Sequence, residues 1–189
     1  MAQRAAWLEH IATLDLTRLV FVDETGAKTN MTRLYGRAEG GQRVVDSAPA
    51  GHWCTTTLLA SVRLDGSTAP MVIEGPTDAD VFGAYVRQVL VPSLRRGDIV
   101  ILDNLSPHKT AAITTSIGAA GAELLYLPPY SPDLNPIEEM WSKVKAFLRR
   151  LKARTLDALT FGIRDALRSV TAADVAAWFS HSGYVATQR

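Results

Sequence analysis

Two short runs of consecutive apolar residues, Leu19-Val20-Phe21-Val22 and Ile99-Val100-Ile101-Leu102, each end on an aspartate. Apolar residues at consecutive rather than alternate positions mark strands covered on both faces. Thr55 to Val62 is rich in β-branched side chains, and Asp65-Gly66 marks a turn before Met71-Val72-Ile73-Glu74, so these segments predict a hairpin. A further strand is predicted over residues 123–127. Between and after the strands lie helical patterns. One covers residues 3–14, with Ala6, Trp7, Ile11 and Leu14 on one side, and another runs from Thr77 or Asp78 to about residue 91, ended by Pro92. A third is predicted from Pro107 to residue 120, ended by Gly121. A long one starts near Pro136, and two shorter ones cover about 155–169 and 171–180. This order predicts an α/β fold, a mixed sheet with an antiparallel edge and flanking helices. Residues 26–53, rich in Gly, Arg and polar side chains, are long for a loop and predict either a functional segment or short strands.

At 189 residues, with 47% hydrophobic and 21% charged side chains, the chain has the content of one globular domain. Disorder and a simple basic coat for DNA are thereby excluded. The formal net charge of +1 conceals an asymmetry: +1 over residues 1–64, −6 over 65–139 and +6 over 140–189. Cys54 is the single cysteine, which excludes an internal disulfide framework; with His52 a poor partner, it reads as a lone buried thiol. Glu9, His10 and Asp15 interrupt any signal-peptide core, and no apolar run approaches the ~20 residues of a membrane span. A soluble, intracellular protein with no membrane partner is expected.

The strand-tip acids carry the candidate chemistry. In open α/β sheets, ligands bind beyond the carboxyl ends of the strands. If the two acid-tipped strands are parallel neighbours, Asp23 and Asp103 converge at one edge, where two carboxylates repel unless a proton or cation lies between them. Hard oxygen donors favour Mg²⁺ or Mn²⁺ over zinc. A third acid, Glu138, follows Asn135-Pro136-Ile137, a sequence that also reads as an Asn variant of a capping box. On the helix it begins, Met140, Val144, Phe147, Leu148 and Leu151 form an apolar stripe, while Glu138, Ser142, Lys145, Arg149 and Lys152 share another face. An acid followed by a ladder of cations suits a metal at one end and a phosphate backbone along the rest; a solvated face whose cations complement the helix dipole is the alternative.

Val22-Asp23-Glu24-Thr25, Leu102-Asp103-Asn104, the string Pro128-Pro129-Tyr130-Ser131-Pro132-Asp133-Leu134-Asn135-Pro136-Ile137-Glu138, and Trp141 together resemble the catalytic core of mariner-type DDE transposases. The resemblance is to the bacterial insertion-sequence 630 branch and extends over about residues 16–185, with 34 residues between Asp103 and Glu138. It implies a ribonuclease H-like fold, with a mixed five-stranded sheet flanked by helices. Residues 1–17 would be an N-terminal helix and linker, and 18–189 the catalytic domain with its C-terminal helices. It implies Asp23, Asp103 and Glu138 as the catalytic, metal-binding triad, two Mg²⁺ or Mn²⁺ ions, and cutting and joining of double-stranded DNA at transposon ends, with a TA target. Lys145, Arg149 and Lys152 are then the candidate DNA-binding residues. Residues 26–53 stand where mariner relatives place a loop reaching toward a second subunit, which makes a homodimer a candidate assembly. The resemblance places the protein in the cytoplasm, with the nucleoid. His108 stands where relatives often carry a histidine near the active site, but reads here as a surface residue at a helix N-terminus. Glu24 and Glu139 point away from their acidic neighbours and are assigned no metal. Only 22 residues precede Asp23, too few for the helix-turn-helix region of family members, so a second reading frame, a truncated copy or an excised domain is expected. A non-catalytic remnant or DNA-binding accessory protein is the competing reading.

Overall fold

Leu19, Val20, Phe21 and Val22 open the central strand β1 (Leu19–Lys28), and each is at most 1% exposed. Their neighbours alternate. Leu19 and Phe21 belong to one apolar cluster, Val20 and Val22 to another on the opposite face. Each such side chain withdrawn from water contributes roughly 1.5–3 kcal/mol, which is why this stretch is apolar without interruption. The computed structural model describes residues 2–105 and 108–185, with side chains described from residue 3 onward. The expected helix start at Pro107 and the last residues of the expected 18–189 domain lie outside these.

Around β1, the strands β2 (Thr55–Arg63), β3 (Met71–Glu74), β4 (Ile99–Leu102) and β5 (Glu123–Tyr126) form one sheet in the order β3-β2-β1-β4-β5. β1, β2 and β3 pair antiparallel, whereas β1, β4 and β5 pair parallel. This is the mixed five-stranded sheet expected of a ribonuclease H-like fold. Gly66, at φ +84° in the β2–β3 connection, sits so close to the segment beginning at Ala172 that an added Cβ would stand 3.0 Å from the Ala172 backbone. Gly66→Ala should therefore destabilise the protein by ~1–3 kcal/mol, seen as a lowered melting temperature.

One face of the sheet is covered by α1 (Ala2–Ile11), α5 (Pro136–Leu151), α6 (Leu156–Arg168) and α7 (Ala172–His181). On the other lie α2 (Ala79–Tyr85) with its continuation, and α4 (Ala111–Ala119). Trp7 of α1 is buried and donates from its indole to the Tyr184 hydroxyl at 3.1 Å, which ties the two ends of the described chain together. Helix α2 continues through a wide π-type turn at Val86–Leu90 into α3 (Val91–Ser93), so the helical path carries past Pro92 instead of ending before it. The wide turn accommodates a residue with no N–H to donate. α4 begins later than expected, where the Thr110 hydroxyl caps the Ile113 N–H.

Three further expectations are corrected. Residues 26–28 extend β1 and pair with β2, and only 29–54 lack helix and strand, almost all of them exposed. Cys54 is exposed, not buried: it precedes the first residue of β2, outside the region that the helices cover. Leu151 is 46% exposed at the end of α5, where its side chain lies over Gly162 of α6 and not in the sheet core.

Candidate active site

The site is set by where β1 and β4 part company. Their parallel pairing runs Leu19 with Ile99, Val20 with Val100 and Phe21 with Ile101. Two residues beyond that last pair come Asp23 and Asp103, both lining the space where the parallel pairing ends. β4 stops at Leu102 while β1 continues, paired only with β2, and a cleft of about 490 Å³ opens there. Asp23, Asp103 and Glu138 all line it, together with Lys109, Asn135 and the 128–132 loop. Three acids far apart in sequence are thus brought to one cavity.

Glu138 reaches the cleft because it is not needed as a cap. The N–H of Asn135 already donates to the Pro132 carbonyl at 2.9 Å, within the tight turn Pro132–Leu134. Asn135 makes no side-chain cap either, so the expected capping box does not form. Its Oδ1 is buried in the cleft wall without a hydrogen-bond partner among the described residues. Tyr130, in the same loop, has a left-handed backbone (φ 53°) and is fully exposed at the cleft mouth.

The two aspartates are held by different donors. Trp141 of α5, 2% exposed, donates from Nε1 to Asp23 Oδ2 at 3.1 Å. Asp103 Oδ1 accepts the Leu105 N–H at 3.1 Å and lies 2.5 Å from Nδ1 of His108. His108 is therefore no surface residue. It is 2% exposed, stacked on Phe82 at 4.0 Å, and its Nε2 faces Glu24 Oε2 at 3.2 Å, an ion-pair contact rather than an aligned hydrogen bond. Alternation along β1 explains the split: Asp23 shares the face of Phe21 and meets α5, while Glu24 shares the face of Val22 and meets His108.

The electrostatics follow from this crowding. Burial, and then the carboxylates of Glu138, Glu24 and Asp103, push the Asp23 carboxyl up to about 8. Burial and Asp103 also raise Glu138, with Lys145 opposing. Burial works against a charged His108, but the Asp103 hydrogen bond and the Glu24 contact outweigh it and raise the ring to about 9. Among the described residues, no three His, Cys, Asp or Glu side chains are drawn together at ligating distance, as expected where like charges repel and each aspartate is held by a separate donor. The donor set nonetheless fits a hard divalent cation. It is made of oxygens, burial and neighbouring carboxylates disfavour the ionisation of Asp23 and Glu138, and it includes a buried amide oxygen with no partner among the described residues.

The expected cations are placed differently from one another. Lys145 acts on Glu138 at the cleft end of α5. Arg149 lines a separate groove with Arg33, Tyr35, Lys143 and Arg150. Lys152 leaves the helical ladder: it ends α5 with a left-handed backbone (φ 53°), and its ammonium is held by both oxygens of Asp46 at 2.7 Å. Lys109, which nothing in its sequence context singles out, stands in the cleft wall over the Tyr126 ring at 5.6 Å.

A family model described as DDE superfamily endonuclease matches residues 18–160, the stretch that contains all three acids. The chain belongs to this family. The transposable element Tc1 transposase of Caenorhabditis elegans is 26% identical over 91 residues, which make up 48% of this chain and 33% of that protein. Among solved structures, a pre-cleavage Mos1 transpososome aligns with a TM-score of 0.75 at 15% identity, over 96% of this chain and 58% of that one. The mariner Mos1 paired-end complex with Mg aligns with a TM-score of 0.71 at 16% identity, over 98% and 59%. At such identities the likeness is one of fold. This DDE chain therefore has a mariner-type catalytic fold, and it spans about a third of the Tc1 protein and under two thirds of the Mos1 chains.

Proposed function

We propose that this chain is the catalytic domain of a DNA transposase of the bacterial insertion-sequence 630 branch, cutting and joining DNA strands at transposon ends with Mg²⁺ or Mn²⁺. The observation that carries the reading is the convergence of Asp23, Asp103 and Glu138 in one cleft, within the stretch that matches the DDE family. Asp23 and Asp103 would hold one ion, and Glu138 with either aspartate a second. Bound divalent ions make a water or 3′-hydroxyl a better nucleophile and stabilise the leaving oxygen. The Mos1 paired-end complex was solved with Mg, which supports the choice of ion.

The protein's own contribution is positioning. Trp141 and His108 hold the two aspartates, and the 128–132 loop lines the same cleft. Lys145 and Arg149 would contact backbone phosphates without reading bases, with Lys152 joining them if Asp46 releases it. Residues 18–189 would form the catalytic domain. A second copy of the chain is the proposed partner, supported by the exposed apolar side chains Leu34, Tyr35, Val45 and Trp53 on the irregular 29–54 segment. Among the described residues no helix is long and apolar enough to cross a membrane; a cytoplasmic place with the nucleoid DNA is proposed.

Incubation with DNA carrying element ends tests the reading. Nicks are expected with Mg²⁺ or Mn²⁺ and none in chelator. Unchanged nicking by Asp103→Ala would overturn the triad. DNA binding without nicking in either metal would favour the accessory-protein reading.

A further inference from the structure

Glu24 has no place in the proposed triad, yet it is not idle. Its carboxylate closes a chain that runs Glu24, His108, Asp103, with Nε2 on Glu24 at 3.2 Å and Nδ1 on Asp103 at 2.5 Å. A carboxylate thus flanks the ring at each nitrogen, hydrogen-bonded on the Asp103 side and in close polar contact on the Glu24 side. Phe82 stacks on it at 4.0 Å, and the Tyr126 hydroxyl donates to its backbone carbonyl at 3.2 Å. The ring is therefore fixed in plane, in rotation and in depth. Asp103 feels the result. Its Oδ1 takes two donors, His108 Nδ1 and the Leu105 N–H, which leaves Oδ2 as the oxygen without a hydrogen-bond donor among the described residues.

We propose that Glu24 and His108 are positioning residues: Glu24 locks the His108 ring, and the ring holds the Asp103 carboxylate so that a single oxygen is offered to the cleft. The inference rests on the metal-binding reading above and deepens it. Partners of this kind behind a metal ligand typically change affinity 10–100-fold when removed. They do so by fixing the ligand's orientation, not by touching the ion.

The probe is Mn²⁺ alone, with free ion measured by electron paramagnetic resonance against titrated protein. Glu24→Gln and Glu24→Leu lose the same charge, but only the glutamine keeps a polar oxygen to face Nε2. Their difference therefore isolates orientation from electrostatics. Glu24→Leu is expected to bind Mn²⁺ at least 10-fold more weakly than Glu24→Gln, and His108→Ala to match Glu24→Leu. Both leucine and glutamine proteins should melt within a few degrees of each other in chelator. Equal affinities for Glu24→Gln and Glu24→Leu would overturn the positioning role. Failure of the unsubstituted protein to take up Mn²⁺, or equal uptake by Asp103→Ala, would instead overturn the metal-binding reading itself.

Discussion

The Asp23→Asn protein is expected to nick no DNA in Mg²⁺ or Mn²⁺, and yet to be more stable than the unsubstituted protein at pH 8 in chelator. The two effects have one cause. Burial and three neighbouring carboxylates raise the Asp23 carboxyl from an ordinary value near 3.8 to about 8. In the unfolded chain it ionises near its ordinary value. Between about pH 4 and 8 the folded protein thus keeps a proton that the unfolded chain has released. Stability is full below the unfolded value and falls by up to about 1.4 kcal/mol per pH unit as pH rises through this window. His108, raised from 6.5 to about 9, adds a loss of the same sign between those values. Asparagine cannot ionise, keeps an oxygen for the Trp141 indole, and removes the Asp23 part of the slope.

A divalent cation reverses the balance in the unsubstituted protein only. It favours the ionised carboxylate, so its stabilising effect should grow from pH 6 to pH 8, where ever less proton has to be displaced. Melting curves at several pH values, with and without Mn²⁺, read both effects at once. Parallel curves for Asp23→Asn and the unsubstituted protein in chelator would refute the electrostatic account. Nicking by the variant would refute the assignment of Asp23.

The two aspartates were legible in the sequence because double-sided burial leaves a run of consecutive apolar residues, and Val22-Asp23 and Leu102-Asp103 are where such runs stop. Only Asp103 stands at a strand end, however, because β1 runs on past Asp23 to Lys28, paired with β2. The parallel pairing that brings them to one cleft follows from the order of strands and helices. What surrounds them was not legible, because it depends on groups supplied from elsewhere. The reading of Asn135-Pro136-Ile137-Glu138 as a capping box fails because the Asn135 N–H is already taken by Pro132 and the Asn135 side chain caps nothing, neither of which local sequence announces. The burial of His108 depends on Phe82, on a helix that precedes β4. Alternation correctly turned Glu24 away from Asp23, but it could not say that a histidine waited on the other side. Lys152 falls on the expected cationic face by spacing alone, whereas the left-handed end of α5 and Asp46 decide where its charge goes.

At the opposite end of the sheet from the cleft, Asp98→Ala is expected to cost about 3–5 kcal/mol while leaving Mn²⁺ affinity at permissive temperature unchanged. Arg63, at the end of β2, and Asp98, just ahead of β4, have side chains 5% and 4% exposed. The guanidinium donates to Asp98 Oδ1 at 3.0 Å and to the Ser93 carbonyl at 3.1 Å, and the Arg95 N–H also donates to the carboxylate. Burial disfavours the ionised carboxylate, but these donors hold it below the usual range. Alanine would leave a buried guanidinium with one carbonyl for a partner, and this uncompensated charge, more than the lost bonds, sets the cost. In a chain of this size such a loss lowers the melting temperature by roughly 6–20 °C. Replacing both partners with leucine tests that explanation. If the stranded charge is responsible, the double variant recovers much of the stability lost by Asp98→Ala; if the bonds themselves are responsible, it is no more stable than the single variant.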